Sequence, residues 1–302
     1  MSDLAKDFKF TGGDDISHFL GYGITRDRQA KTLVLEQFAF VDALLKQYGM
    51  ADQHTGKVTP ARVPCRETTS GHIGINMCPP DGEQGEEERQ FMKNKPFRAV
   101  VGSLMWLMRG SRPDLAFVCN KPTRVMHNPG RAHWDAAMHC LDYVAGTRTS
   151  AITYTQTLQG DILTCAVDAD WLPRYGHEYD NYKSNTGWLF YYGNAAITWY
   201  SKKQATLATS TPEAECNAGF DAAKECVKLR HILEDMKIPQ LKPTIMQEDN
   251  QAVIRMSLNS SEAERTEHWD FKIHYIRTCV QNFVLSFAYV STKDQMADGN
   301  TK

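Results

Sequence analysis

Two spacings of apolar residues divide the chain. Between residues 89 and 147 they recur every three or four positions. Phe97, Val100, Val101, Leu104, Leu107 and Met108 make one stripe, and Trp134, Ala137, Leu141 and Val144 another that stops at Gly146. That period places each set on one face of a helix. Arg112-Pro-Asp114 supplies a start between them, with proline at a first helical position and an acid in the first turn. From residue 161 the period changes. Asp161–Val167 is apolar on both faces, which predicts a central strand. Trp188–Tyr192 and Ala195–Tyr200 flank Gly193-Asn194 as a hairpin, and Gln204–Ser210 reads as a third strand. Ala214, Ala218, Ala222, Cys226, Leu229 and Leu233 then give a long helix with a narrow face of small residues, opened by Ser210 or Thr211 and Pro212. Thr244–Gln247 is a short strand and Ala252–Leu258 a short helix. Ile273, Ile276 and Val280 mark a further helix, and Val284–Val290 a last strand. The order predicts a mixed α/β layer fold.

The beginning of the chain reads as a small α/β piece. Phe19–Ile24 and Lys31–Glu36 pair across a polar turn, and Phe38, Val41, Leu44, Leu45 and Tyr48 line a helix closed by Gly49. Gly12-Gly-Asp-Asp15 is a turn, its residues suited to unusual backbone angles; a metal-holding tip between strands is the alternative. Four regions are expected. Residues 1–60 form the α/β piece, 61–88 an exposed connector that includes the run Glu83–Arg89, 89–150 a helical region and 160–302 the mixed-sheet domain.

Composition narrows the class. The chain has 302 residues, 42% hydrophobic and 23% charged, enough to bury a core. A net charge of −2 provides no global attraction for nucleic acid, so phosphate contacts must come from local basic clusters. The eight cysteines contain no Cys-x-x-Cys pair and read as free thiols of a reducing compartment. The start has no apolar signal region, and no run reaches the ~18 apolar residues of a membrane span. These features predict a soluble intracellular protein. His133 and His139, six apart on one helix, face different ways and offer no metal site.

The candidate chemistry lies in four acidic words after residue 161. They are Cys165-Ala-Val-Asp-Ala-Asp-Trp171, Ser210-Thr-Pro-Glu-Ala-Glu-Cys216, Met246-Gln-Glu-Asp-Asn-Gln251 and Asp294-Gln-Met-Ala-Asp298. Asp168 and Asp249 end strands, Glu215 sits in the first turn of the long helix, and Asp298 follows the last strand. Strand ends and a helix start meet in one crevice in such folds. Four carboxylates there repel unless hard divalent cations with oxygen ligands neutralise them. Two ions ~3.5–4 Å apart can activate water and stabilise the leaving oxygen of a phosphodiester, with no histidine base. Acids at helix starts are also expected from the helix dipole. Asp170 and Glu213, each two residues from a chosen acid, remain rivals, and Asp170 shares the strand face of Asp168.

These words, with others, resemble the C-terminal part of the Pol polyprotein of copia-type LTR retrotransposons: the end of reverse transcriptase followed by ribonuclease H. Phe19-Leu-Gly21, Gln37, Leu44-Leu45 and Thr59-Pro60 are similar to the end of the polymerase palm. Val101–Leu107, Arg112-Pro-Asp114, Asn128-Pro129, His133-Trp134 and Tyr143-Val-Ala-Gly-Thr147 are similar to its thumb-side region. Asp168-Ala-Asp-Trp171, Lys183-Ser184, Gly187, Ser201-Lys-Lys-Gln204, Glu213-Ala-Glu215, Asp249-Asn-Gln251, His268 with Asp270, Ala297-Asp298 and Thr301-Lys302 are similar to its ribonuclease H.

The resemblance implies a ribonuclease H-like five-stranded mixed sheet with flanking helices, a helical thumb-like region and a palm remnant. It implies Asp168, Glu215, Asp249 and Asp298 as catalytic metal ligands for two Mg2+, with Mn2+ as the alternative ion, and Asp170 and Asn250 as supporting groups. The substrate implied is an RNA–DNA hybrid, cut in its RNA strand. Lys183, Lys202, Lys203 and Arg174 are candidate backbone contacts, joined by Arg109, Arg112 and Arg124 from the helical region. His268 and Asp270 are a structural cap. Upstream reverse transcriptase or integrase segments are the implied partners, in a cytoplasmic retroelement particle or the nucleus. Polymerase activity is not expected, since the Tyr-x-Asp-Asp hairpin is absent. Pro212 stands where the family usually has Thr. Lys302 lies four residues past Asp298, so a supporting final helix is not expected, and a non-cutting module that binds nucleic acid or other Pol segments is the alternative function.

Overall fold

The structure is a computed structural model and describes residues 15–50, 61–65, 82–156, 162–171, 183–258 and 270–301. Strands β1 (His18–Phe19), β2 (Tyr22–Asp27) and β3 (Thr32–Glu36) form an antiparallel meander. Its fourth strand, β4 (Ile152–Thr155), arrives only after the helices and pairs with β3 through Leu35 and Ile152. The helices between are α1 (Phe38–Gln47), α2 (Glu83–Met92), α3 (Phe97–Gly110), α4 (Ala116–Thr123) and α5 (Arg131–Gly146). Leu44 and Leu45 of α1, Leu104 and Leu107 of α3, and Leu141 and Val144 of α5 meet in one core. The apolar stripes read from the sequence are the buried faces.

The charged run Glu83–Arg89 is helical, contrary to its expected place in an exposed connector. Glu83 and Glu86 lie in the first turn of α2, where the helix dipole favours them, and Arg89 pairs with Glu86 at 3.2 Å. Met92 anchors the far end in the core. Of Gly12–Asp15 only Asp15 is described; it pairs with Arg28 at 2.9 Å.

Two distant sequence words close the junctions of this half. Gln37, buried between β3 and α1, accepts the Ser111 backbone N–H and hydroxyl, both at 2.9 Å. Gly110 makes room for it, since a Cβ there would collide with Gln37 and Tyr22. Arg112 is 2% exposed. Its guanidinium binds Asp114 at 2.7 Å and donates to the Thr147 hydroxyl at 2.6 Å, with the Tyr143 ring 5.5 Å away. Arg112 is therefore a tie between α3 and α5 and is not available for the expected backbone contact.

The second half is a five-stranded sheet in the order β7-β6-β5-β8-β9: β5 (Thr164–Asp170), β6 (Asn185–Tyr192), β7 (Ala195–Lys203), β8 (Thr244–Glu248) and β9 (Leu285–Tyr289). β6 is antiparallel to both neighbours, whereas β5, β8 and β9 run parallel. β5 is central, as its two apolar faces predict. Helix α6 (Thr211–Asp235) lies on the sheet, followed by α7 (Gln251–Leu258) and α8 (Asp270–Gln281). Ala214, Ala218, Ala222 and Cys226 are fully buried with Cys165, Phe190 and Met246, so the small-residue face of α6 sits close against the strands.

Residues 204–210 are a loop, where alternation predicted a strand. Gln204 turns inward instead: its amide donates to Thr186 and to the Ala214 carbonyl and accepts from Asn217. Ser210 accepts the Glu213 N–H as the cap of α6. The two halves touch where the Trp199 indole donates to the Met108 carbonyl at 2.8 Å, and where Arg124 reaches Asn185 at 3.2 Å. Among the described residues no helix is long and apolar enough to cross a membrane.

Candidate metal centre

The parallel pairing of β5 with β8 ends at Ala166 and Gln247. Beyond it the strands part, and Asp168 and Asp249 stand at the mouth of the opening, the usual ligand position for an open α/β sheet. Gln295 bridges the gap. Its amide donates to the Val167 carbonyl at 2.8 Å and lies 3.4 Å from that of Gln247, giving two strand-end carbonyls a partner. Helix α6 brings Glu215 over the same place. The first-turn acid of α6 is Glu213 and not, as expected, Glu215, which falls in the second turn. Glu213 accepts the backbone N–H and hydroxyl of Thr209, both at 2.7 Å, and so serves the loop.

Asp168, Glu215 and Asp249 each place a carboxylate oxygen within 4.8 Å of the other two. Asp168 and Glu215 are buried, 2% and 4% exposed, and Asp249 is half-buried. Burial pushes the Glu215 carboxyl well above the usual carboxylate range, and the charges of Glu248, Asp168 and Asp249 push it further, against one N–H from Ala169. Glu215 Oε2 is buried without a hydrogen-bond partner. This hard, all-oxygen donor set with an orphaned buried oxygen fits a divalent cation.

Glu248 is the residue that reading the sequence missed. It is completely buried, and its Oε1 accepts the Asn250 N–H at 2.9 Å while Oε2 has no partner. Burial raises its carboxyl well above the ordinary range, and Asp249 and Asp168 add to the shift against the N–H groups of Asn250 and Asp249. A signal existed: Thr244, Met246 and Glu248 share the buried parity of β8.

The remaining candidates are dispersed. Asp298 lies half-buried in the 3-10 turn Met296–Asn300, outside the 4.8 Å group. Asp170 is half-buried at the end of β5, paired in register with Asn185. Asn250 caps α7, its side-chain oxygen accepting the Ala252 N–H at 3.0 Å. The Thr292 hydroxyl donates to Asp249 at 2.8 Å. Lys183 donates to the Ala205 carbonyl, tying down the loop before α6. Lys202 is exposed on β7 and Lys203 half-buried, and Arg109 is exposed on α3. Arg174 and His268 lie outside the described residues; Asp270 begins α8.

No protein-family model matches the chain. The strand order, with β6 alone reversed in a five-stranded sheet covered by α6, makes the second half a ribonuclease H-like domain. Among solved structures, LC11-RNase H1, isolated from compost by a metagenomic approach, is 14% identical with a TM-score of 0.36, covering 46% of this chain and 92% of that one. At that score the strand order carries the class. By sequence, the chain is similar along its whole length to part of the Pol polyproteins of copia-type retrotransposons. It is 33% identical over 302 residues to the retrovirus-related Pol polyprotein from transposon TNT 1-94 of Nicotiana tabacum, covering 99% of this chain and 21% of that protein. It is 30% identical to that from transposon RE2 of Arabidopsis thaliana, covering 100% of this chain and 19% of that protein. The chain thus spans about a fifth of the length of the curated relatives it matches.

Proposed function

We propose that the second half is a Mg2+-dependent endonuclease that cuts the RNA strand of RNA–DNA hybrids within a retrotransposon reverse-transcription machinery. One observation carries this reading: Asp168, Glu215 and Asp249 converge within 4.8 Å at the mouth of a split sheet. Evolution rarely retains buried like charges for packing, because each ion costs several kcal/mol to desolvate unless it is compensated. Two Mg2+ ions, or Mn2+ in their place, would lower the pKa of an attacking water and stabilise the leaving oxygen. Asp168, Glu215 and Asp249 would hold the ions, with Asp298 offered from the Met296–Asn300 turn after β9. Thr292 fixes one oxygen of Asp249, and the Asn250 cap fixes the backbone beside it. Asp170 supports Asp168 from the same face of β5.

Lys202, with Lys203, Lys183 and Arg174, contacts the hybrid backbone, and recognition is by groove shape and 2′-hydroxyls. Lys183 reaches the substrate only by leaving the Ala205 carbonyl. Upstream reverse transcriptase or integrase segments are the partners, in a cytoplasmic retroelement particle or the nucleus.

The test is hydrolysis of an end-labelled RNA–DNA hybrid by the whole chain in magnesium. Loss of groups that merely support metal ligands costs about 10–100-fold, so Asp249→Asn, a ligand, should cost more than about 100-fold. Intact hybrid with the wild-type chain in both Mg2+ and Mn2+ rejects the proposal. The position of Asp298 outside the carboxylate group favours a second reading, a module that binds hybrid without cutting. Magnesium-independent hybrid binding with no cleavage would select it.

A further inference from the structure

Thr301 is completely buried, and its hydroxyl donates to Asp168 Oδ2 while lying 3.1 Å from the Asp298 carbonyl. The hydroxyl has one proton, and an ionised carboxylate is the stronger acceptor. Its approach is built into the sheet. Gly187 stands opposite Asp168 in the β5–β6 register. A Cβ on Gly187 would come 2.6 Å from Thr301 Cγ2 and 2.9 Å from Asn300 Cβ. Only glycine lets the Met296–Asn300 turn settle this close. The turn is anchored on both sides of that contact. Asn300 donates to the Trp188 carbonyl at 3.2 Å, and Gln295 donates to the Val167 carbonyl at 2.8 Å. The turn also packs against α4 and the Pro113–Leu115 turn of the first half, so it is gripped from both sides.

The charges of Glu215 and Asp249 repel that of Asp168, and the Thr301 hydroxyl opposes its rotation away from them. We infer that Thr301 is a positioning residue for the metal centre: its hydroxyl, admitted by Gly187, locks the Asp168 carboxylate in the rotation that faces Glu215 and Asp249. This inference rests on the metal-binding reading above. The hydroxyl does not touch the reacting atoms; it sets the geometry that the ion meets.

Calorimetric titration of Mn2+ into the whole chain tests it, with the wild type, Thr301→Val, Thr301→Ser and Gly187→Ala side by side. Valine keeps the shape and removes the donor; serine keeps the donor and removes the methyl. Thr301→Val should weaken Mn2+ binding about tenfold, the low end for a group that orients a metal ligand. Thr301→Ser should bind within about twofold of wild type, since the oriented donor is retained. Gly187→Ala should weaken binding with the hydroxyl still present. Wild-type affinity in Thr301→Val overturns the inference and leaves the metal reading intact, as does equal weakening in valine and serine. If Thr301→Val does not fold, wild-type affinity in Gly187→Ala overturns it. A wild-type chain that takes up no Mn2+ rejects both.

Discussion

Each half of the molecule buries charge, and the two treat it in opposite ways. In the first half, Arg112 is sealed among Asp114, Thr147 and Tyr143, so its guanidinium finds a countercharge and hydrogen-bond acceptors. In the second, Asp168, Glu215 and Glu248 are buried beside Asp249, and the charges that bear on Glu215 are all negative. Glu215 Oε2 and Glu248 Oε2 are left without partners. A buried charge compensated within the chain is a structural fastener. A buried charge that the chain itself leaves uncompensated makes the folded state depend on what it binds.

Three experiments sharpen that contrast. The largest effect falls on the closed cluster. Arg112→Met removes one partner of a buried pair and should cost about 3 kcal/mol, the low end for such a break because Asp114 keeps some access to water. Chemical denaturation would read the loss, and a change under about 1 kcal/mol would mean the cluster is not the fastener described.

The open cluster should respond to pH and metal. Glu215 and Glu248 hold protons to higher pH in the folded chain than in the unfolded one. The stability this contributes is fully present below the unfolded carboxylate value of about 4.3 and is lost as pH rises through the raised folded values. In EDTA the unfolding temperature should therefore fall as pH rises above about 5, and Glu248→Gln should flatten the fall. Magnesium at about 100 times its Kd should restore about 2.7 kcal/mol. A pH-independent melting temperature in EDTA would contradict the open cluster. The smallest effect belongs to exposed Lys202. Its replacement by Gln should weaken hybrid binding by about 1 kcal/mol or less, with a shallower dependence on salt. A fluorescence anisotropy titration at two salt concentrations measures it.

How far the sequence could be read depended on whether a feature was local. The stripes of α3 and α5, the central place of β5 and the small-residue face of α6 follow from periods of a few residues, and the buried positions match them. Residues 204–210 misled because Ala205 and Leu207 alternate with polar Gln204 and Thr206, while Leu207 is exposed and Gln204 is bound to residues of β6 and α6. Glu83–Arg89 misled for the opposite reason. Its exposed face is highly charged, and the packing of Phe91 and Met92 shows that the segment belongs to the helical layer.

The same division holds within the site. The sequence alone marked Asp168, Glu215 and Asp249 as acids at element ends, because side-chain chemistry and period are properties of neighbouring residues. Spacing could not separate Glu213 from Glu215, reveal the burial of Glu248, or bring Thr301 onto Asp168 from 133 residues away. Those outcomes were decided by the tertiary structure alone, because strand register and the seating of α6 set which oxygens share a pocket, and no local pattern encodes a distance in space.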